Sequence, residues 1–216
     1  MDATKHIRKN LKFILASELL IAALKFVSRR VFVIAMGKEY LGLNGLFADI
    51  LSMRSLAELG LGVSITYSLY RPVAQEDTEL IKSLVRLYRR VYHVVGWAVL
   101  AAGLALTPFL DLFVKEMPEG IPHIPLIYGL NVVNASVSYF FSYKSTLLYV
   151  YQKKYIETSI RAAVSLIATA AQIAALLLTR NYLYYLYLAI GATAVQNIAA
   201  AAQADRGGPG LGAAGG

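Results

Sequence analysis

Long apolar runs separated by short polar clusters organise this chain. The first run extends from about Leu11 to Met36, behind a basic stretch with Lys5, Arg8, Lys9 and Lys12. A polar link, Gly37-Lys38-Glu39-Tyr40, leads to a second run over 41–70, with Gly60-Leu61-Gly62 as a kink or close-packing point before Arg71-Pro72. After the polar stretch from Arg71 to Lys82, a third run covers 83–110 and opens on Arg86, Arg89 and Arg90. The loop 111–123 holds Asp111, Glu116 and Glu119 against Lys115. The remaining runs cover 124–150, 156–178 and 182–202, separated by Gln152-Lys153-Lys154 and Thr179-Arg180-Asn181. A membrane-crossing helix needs roughly 20 apolar residues, and each run reaches that length. The pattern therefore predicts an all-α integral membrane protein, a bundle of about six transmembrane helices over 11–202. Residues 1–10 form a basic amino terminus. Residues 203–216 are Gly-rich with nothing to bury, and are expected to be disordered.

Composition sharpens this reading. Hydrophobic residues make up 57% and charged residues 16% of the chain, against about 45–50% and about 25% in soluble domains. Mean hydropathy is +0.54. Glu18 and Lys25 interrupt the first run, and more runs follow, so it reads as a retained helix and not a secretory signal. The net charge of +8 has a topological cause, since Lys and Arg gather in cytoplasmic loops. No nucleic-acid partner is implied. The amino terminus and the second and fourth inter-run loops are basic, whereas the alternate loops hold only Lys38, Lys115 and Arg180. Both termini are thus expected in the cytoplasm. Tyr149, Tyr151, Tyr155, Tyr182, Tyr184 and Tyr185 sit near run ends, where amphipathic rings favour the membrane interface.

The chain has no cysteine, and its histidines (His6, His93, His123) are scattered. No metal site, cofactor or thiol chemistry is expected. No nucleophile–base pair, phosphate loop or hydrolase carboxylate pair stands out, so no enzyme is expected.

The informative residues are the ionisable groups within the runs, because each is costly in lipid unless it faces protein or water. Glu18, Lys25 and Arg29 fall within about 40° of one another on a helix. That stripe either packs against a polar helix or lines a water-filled cavity. Asn44, Asp49, Arg54 and Glu58 repeat the theme on the second run. Arg54 and Glu58 are spaced for an intrahelical pair, as are Glu157 and Arg161, while Asp49 has Lys25 or Arg29 as possible partners across the interface. Arg30 either snorkels to the outer interface or joins the cavity, and Lys144 reads as snorkelling. Asn131 and Asn134 read as interhelical hydrogen-bond partners.

The stretches SRRVFVIAMGKEYLGLNGLFADILS, SLAELGLGVSITYSLYRP and SYFFSYKSTLLYVYQKKY resemble the amino-terminal half of bacterial polysaccharide flippases. These are O-antigen or capsular repeat-unit translocases, Wzx-like members of the multidrug/oligosaccharidyl-lipid/polysaccharide exporter superfamily. The resemblance covers roughly Asn10 to Gln196 and implies one lobe of a two-lobed transporter around a cationic cavity. It implies a function as well: translocation of undecaprenyl-pyrophosphate-linked oligosaccharide across the bacterial inner membrane for surface polysaccharide synthesis. Carried onto this chain, Lys25, Arg29 and Arg30 would bind the pyrophosphate or acidic sugars. Glu18, Asn44, Asp49 and Glu58 would tune the cavity or couple ions. Arg54 departs from the family pattern, which has an apolar residue there. The chain reads as a single lobe, so transport would need a homodimer or a second half-transporter. The competing readings are a cation-coupled small-molecule exporter of the same superfamily and a non-transporting accessory membrane subunit.

Overall fold

In the computed structural model of the protein, the structure describes residues 2–52, 54–110 and 120–207, with side chains over 14–51, 62–110 and 120–206. The chain is helical, with no strand among the described residues. The helices are α1 (Asp2–Met36), α2 (Lys38–Ser52), α3 (Arg54–Ala74), α4 (Thr78–Ala105), α5 (Ile124–Val150), α6 (Lys154–Thr179) and α7 (Tyr182–Gly207), with a 3₁₀ turn at Thr107–Phe109. The side chains of Arg54 and Glu58, the Gly60-Leu61 pair, the acidic residues of 111–119 and the tail 208–216 lie outside the described residues.

Local chemistry sets the helix ends. Gly37 adopts a φ of 93°, and its N–H donates to the Val33 carbonyl at 3.0 Å, which closes α1. The polar link expected over 37–40 thus shrinks to that single residue. Asp77 caps α4 by accepting from the Leu80 N–H at 3.0 Å. Asn181 does the same for α7, accepting from Leu183 N–H at 2.9 Å. Pro125 occupies the first turn of α5, where its missing N–H costs nothing.

Among the described residues, four helical segments are long and apolar enough to cross a membrane: Thr78–Phe109, Ile124–Val150, Lys154–Thr179 and Tyr182–Arg206. The sequence pattern predicts six. The difference lies in the first two runs. Glu18, Lys25, Arg29 and Arg30 break the apolarity of α1. The second run is divided between α2 and α3. The 15 residues of α2 reach only about 22 Å, short of a hydrocarbon core of about 30 Å, and the side chains of α3 are described only from Gly62 onward.

α5 is the central helix. It packs against α4 and α7, with α3 and α2 at its sides, while α6 bridges α1 and α7. Tyr128 and Val132 of α5 are wholly buried, and the Tyr128 ring meets Phe47 of α2 edge to face at 5.1 Å. Towards the other end, Tyr139, Tyr143 and Leu147 pack with Ile65 and Leu69 of α3 and Ile81 of α4. Two polar groups of α5 bond to their own backbone: Asn131 donates to the Ile127 carbonyl at 2.9 Å, and Ser136 to Val132 at 2.9 Å. The Asn131 side chain also hydrogen-bonds Tyr182 of α7, an interhelical contact of the kind expected.

α4 and α5 approach closely at Gly103, where an added Cβ would stand 2.5 Å from Val132 Cγ1. Val132 is stiff at χ1 and has little room to yield. Gly103→Ala is expected to destabilise the fold by about 1–3 kcal/mol, with partial rescue by Val132→Ala. Thermal unfolding in detergent checks this, and an unchanged melting temperature in the single variant would refute it.

α7 runs past the predicted end at Ala202 to Gly207. Ala200, Ala201 and Ala204 are buried there. Lys144 Nζ of α5 also meets Asp205 Oδ2 at 2.6 Å. Lys144 is thus an interhelical partner where snorkelling was expected.

Candidate functional site

Four helices enclose a cavity of about 480 Å³. Each contributes one stripe at helical spacing: Ile21, Lys25, Ser28 and Phe32 with Arg29 from α1; Leu41, Asn44 and Ala48 from α2; Ser165, Thr169 and Gln172 from α6; Tyr185, Ala192 and Gln196 from α7. Small residues at Gly45, Ala48, Ala168 and Ala192 leave the space. The wall is braced by polar contacts. Gln172 Nε2 donates to the Tyr185 carbonyl at 3.3 Å, and the Tyr182 hydroxyl donates to Asn44 Oδ1 at 2.8 Å. Phe32 supports both tyrosines, with ring centroids 5.3 Å away in each case.

Lys25 and Arg29 line the cavity, and among the described residues no carboxylate does. The lining therefore carries two positive charges among hydroxyl and amide groups. Lys25 and Arg29 are exposed at this half-open cavity, and such a surface suits an anion that also offers oxygen acceptors.

Of the residues singled out by sequence, the structure brings Lys25, Arg29 and Asn44 together at this cavity. Arg30 is exposed and Asp49 is exposed, and neither lines it. Glu18 lies nearer the amino-terminal end of α1 and forms an ion pair with Arg161 of α6. Its carboxylate joins two helices outside the cavity lining. Arg161 thereby reaches Glu18 in addition to Glu157, the partner its sequence spacing suggested, on which its charge still acts. The side chain of Glu58 lies outside the described residues.

Sequence reasoning missed Ser28, Ser165, Thr169, Gln172, Thr193 and Gln196 as lining groups. Hydroxyl and amide residues are common in membrane helices, so none signals a site alone. The spacing of Ser165, Thr169 and Gln172, one turn beyond Arg161, is the signal that could have found them. Tyr182, read from sequence as an interfacial residue, is buried instead between Phe32 and Asn44.

Comparison with protein-family models, with curated proteins and with solved structures finds no match for the chain.

Proposed function

We propose that this membrane protein is a flippase-type translocase of lipid-linked oligosaccharide, with the cavity between α1, α2, α6 and α7 receiving the pyrophosphate. The observation that carries this reading is the pairing of Lys25 and Arg29 on one cavity wall, without a lining carboxylate among the described residues. A diphosphate leaving water needs cationic partners, and two cations at membrane depth need a reason to be there. The cavity-facing hydroxyls and amides suit an oxygen-rich ligand. In the encoding bacterium, deleting the gene is expected to abolish surface polysaccharide. Wild type should restore it, and the Lys25→Gln/Arg29→Gln variant should not. Normal polysaccharide in the deletion strain would sink the proposal.

In this reading α1 and the α2–α3 segment also cross the bacterial inner membrane, giving six spans and one transporter lobe. Leu15, Leu19 and Phe26 form an exposed apolar stripe on α1, suited to lipid, with Arg30 at its edge. Arg71, Arg86, Arg89, Arg90, Lys154 and Arg206 gather at one end of the bundle, which is then cytoplasmic. The absence of cysteine makes the test clean. Single cysteines replacing Glu39 and Asn181 are expected to react with an impermeant maleimide in intact spheroplasts, whereas those replacing Gln75 and Gln152 should react only after lysis. A Glu39→Cys protein that stays unlabelled until lysis would remove α1 from the spans.

A further inference from the structure

A second groove, of about 520 Å³, opens between α3, α5 and the start of α6, apart from the cationic cavity. Tyr67 and Tyr70 enter it from α3 and Tyr149 from α5, and these three rings are exposed. Tyr67 and Tyr70 meet edge to face with centroids 6.1 Å apart. Ser145 and Thr146 add hydroxyls, while Lys154 and Glu157 add one charge of each sign. Lys154 Nζ stands 5.4 Å from the Tyr149 ring centroid, which holds the ammonium beside the aromatic wall.

We propose that this groove binds an uncharged saccharide. Its volume falls within the range of small-molecule sites, about 300–1,000 Å³. The side chains then decide the class of ligand. Exposed tyrosine faces suit the C–H face of a sugar ring, which is apolar on one side and hydroxylated at its edge. The Glu157 carboxylate accepts hydroxyl hydrogens, and the Lys154 ammonium donates to hydroxyl or ring oxygens. Together they leave the lining without net charge, so neither an anion nor a cation gains from entering. A purely apolar chain would displace water from Lys154 and Glu157 and offer neither a hydrogen bond in return, at a cost.

The place of the groove gives it a purpose. Glu157 and the cavity residue Ser165 lie on one side of α6, about 12 Å apart along the axis, with Arg161 between them. α6 thus borders both sites, while the charges that would meet a phosphate, Lys25 and Arg29, face the cavity from α1. This deepens the flippase reading and rests on it for the origin of the saccharide, whereas the groove itself is tested with free sugars.

The whole protein is placed in lipid nanodiscs, free of sugar-headed detergent, and saturation-transfer NMR is recorded with glucose, galactose, mannose, rhamnose and N-acetylglucosamine. At least one sugar should receive saturation. Its affinity should fall about tenfold in Tyr149→Ala and in Glu157→Gln. It should be unchanged in Tyr149→Phe, which keeps the ring, and in Arg30→Gln, at a residue that lines neither the groove nor the cavity. Tyr67→Ala, at an exposed ring, gives the same reading if Tyr149→Ala does not fold. Transfer to none of the sugars, or transfer indifferent to the groove variants, overturns the site. So does groove-dependent binding of inorganic phosphate or tetraethylammonium in place of sugar. Each of these results leaves the flippase reading to stand or fall on the polysaccharide phenotype of the deletion strain.

Discussion

The Lys25→Gln/Arg29→Gln double variant is expected to bind farnesyl pyrophosphate about 10²- to 10⁴-fold more weakly than wild type, since each hydrogen bond to a charged group contributes about 1.5–3 kcal/mol. Titration calorimetry of the protein in detergent measures this directly. Both side chains line the cavity, so each single variant should lose part of the affinity and the pair should lose most of it. Lys25→Arg keeps the charge and should retain binding to within about tenfold, because a guanidinium also pairs with phosphate. Arg30→Gln is the informative control. Arg30 follows Arg29 in the chain but is turned about 100° around the helix and does not line the cavity. A general attraction of the lipid pyrophosphate to a basic helix would make Arg30 count as much as Arg29. A cavity site leaves Arg30→Gln within about twofold of wild type. Equal affinities in wild type and the double variant would remove the anion from this cavity altogether.

The contrast between Arg29 and Arg30 shows what the sequence carries well. An ionisable residue in an apolar run is costly, so its position is informative, and helical periodicity then assigns it a face. Lys25 and Arg29 were legible on that basis. So was α5, whose bounds at Ile124 and Val150 match the sequence reading, because Pro122-His123 and Gln152-Lys153-Lys154 punctuate it at both ends. The carboxyl end of α7 was not legible. Its alanines give no polarity signal, and the partner that holds Asp205 is Lys144, 61 residues away in sequence. The Ser, Thr and Gln groups of the cavity were hidden for a related reason. They are cheap enough in a helix to be there without function, and only the meeting of four helices makes them a lining. Nothing in the chain alone indicated that Arg161 would meet a second carboxylate besides Glu157. Glu157 stands one turn away on the same helix, and Glu18 arrives from α1.

That contact leads to the second large effect, on the stability of the cavity wall. Arg161 lies roughly 10 Å into α6 from its first residue, and its ion pair with Glu18 ties α6 to α1. The two side chains are 35% and 45% exposed, so the pair is neither fully buried nor a free surface contact. Glu18→Ala removes the carboxylate in contact with the guanidinium and leaves Glu157 as the remaining one that acts on it. The expected loss is about 1–3 kcal/mol, between the small worth of surface pairs and the 3–5 kcal/mol of fully buried ones. Removing both charges, as Glu18→Ala/Arg161→Leu, should recover part of that loss, with Lys154 left as the cation that acts on Glu157. Exchanging them, as Glu18→Arg/Arg161→Glu, should restore the contact itself. Thermal unfolding of wild type, singles and doubles in the same detergent yields the coupling energy. α1 and α6 are also two walls of the cationic cavity, so Glu18→Ala should weaken farnesyl pyrophosphate binding although Glu18 does not line the cavity. The charge-exchanged variant should regain that binding. If Glu18 instead served the ligand directly, the exchange would restore stability and leave binding lost. A double variant no more stable than either single would mean that the two charges are not coupled, and the clasp between α1 and α6 would have to be sought in their apolar contacts.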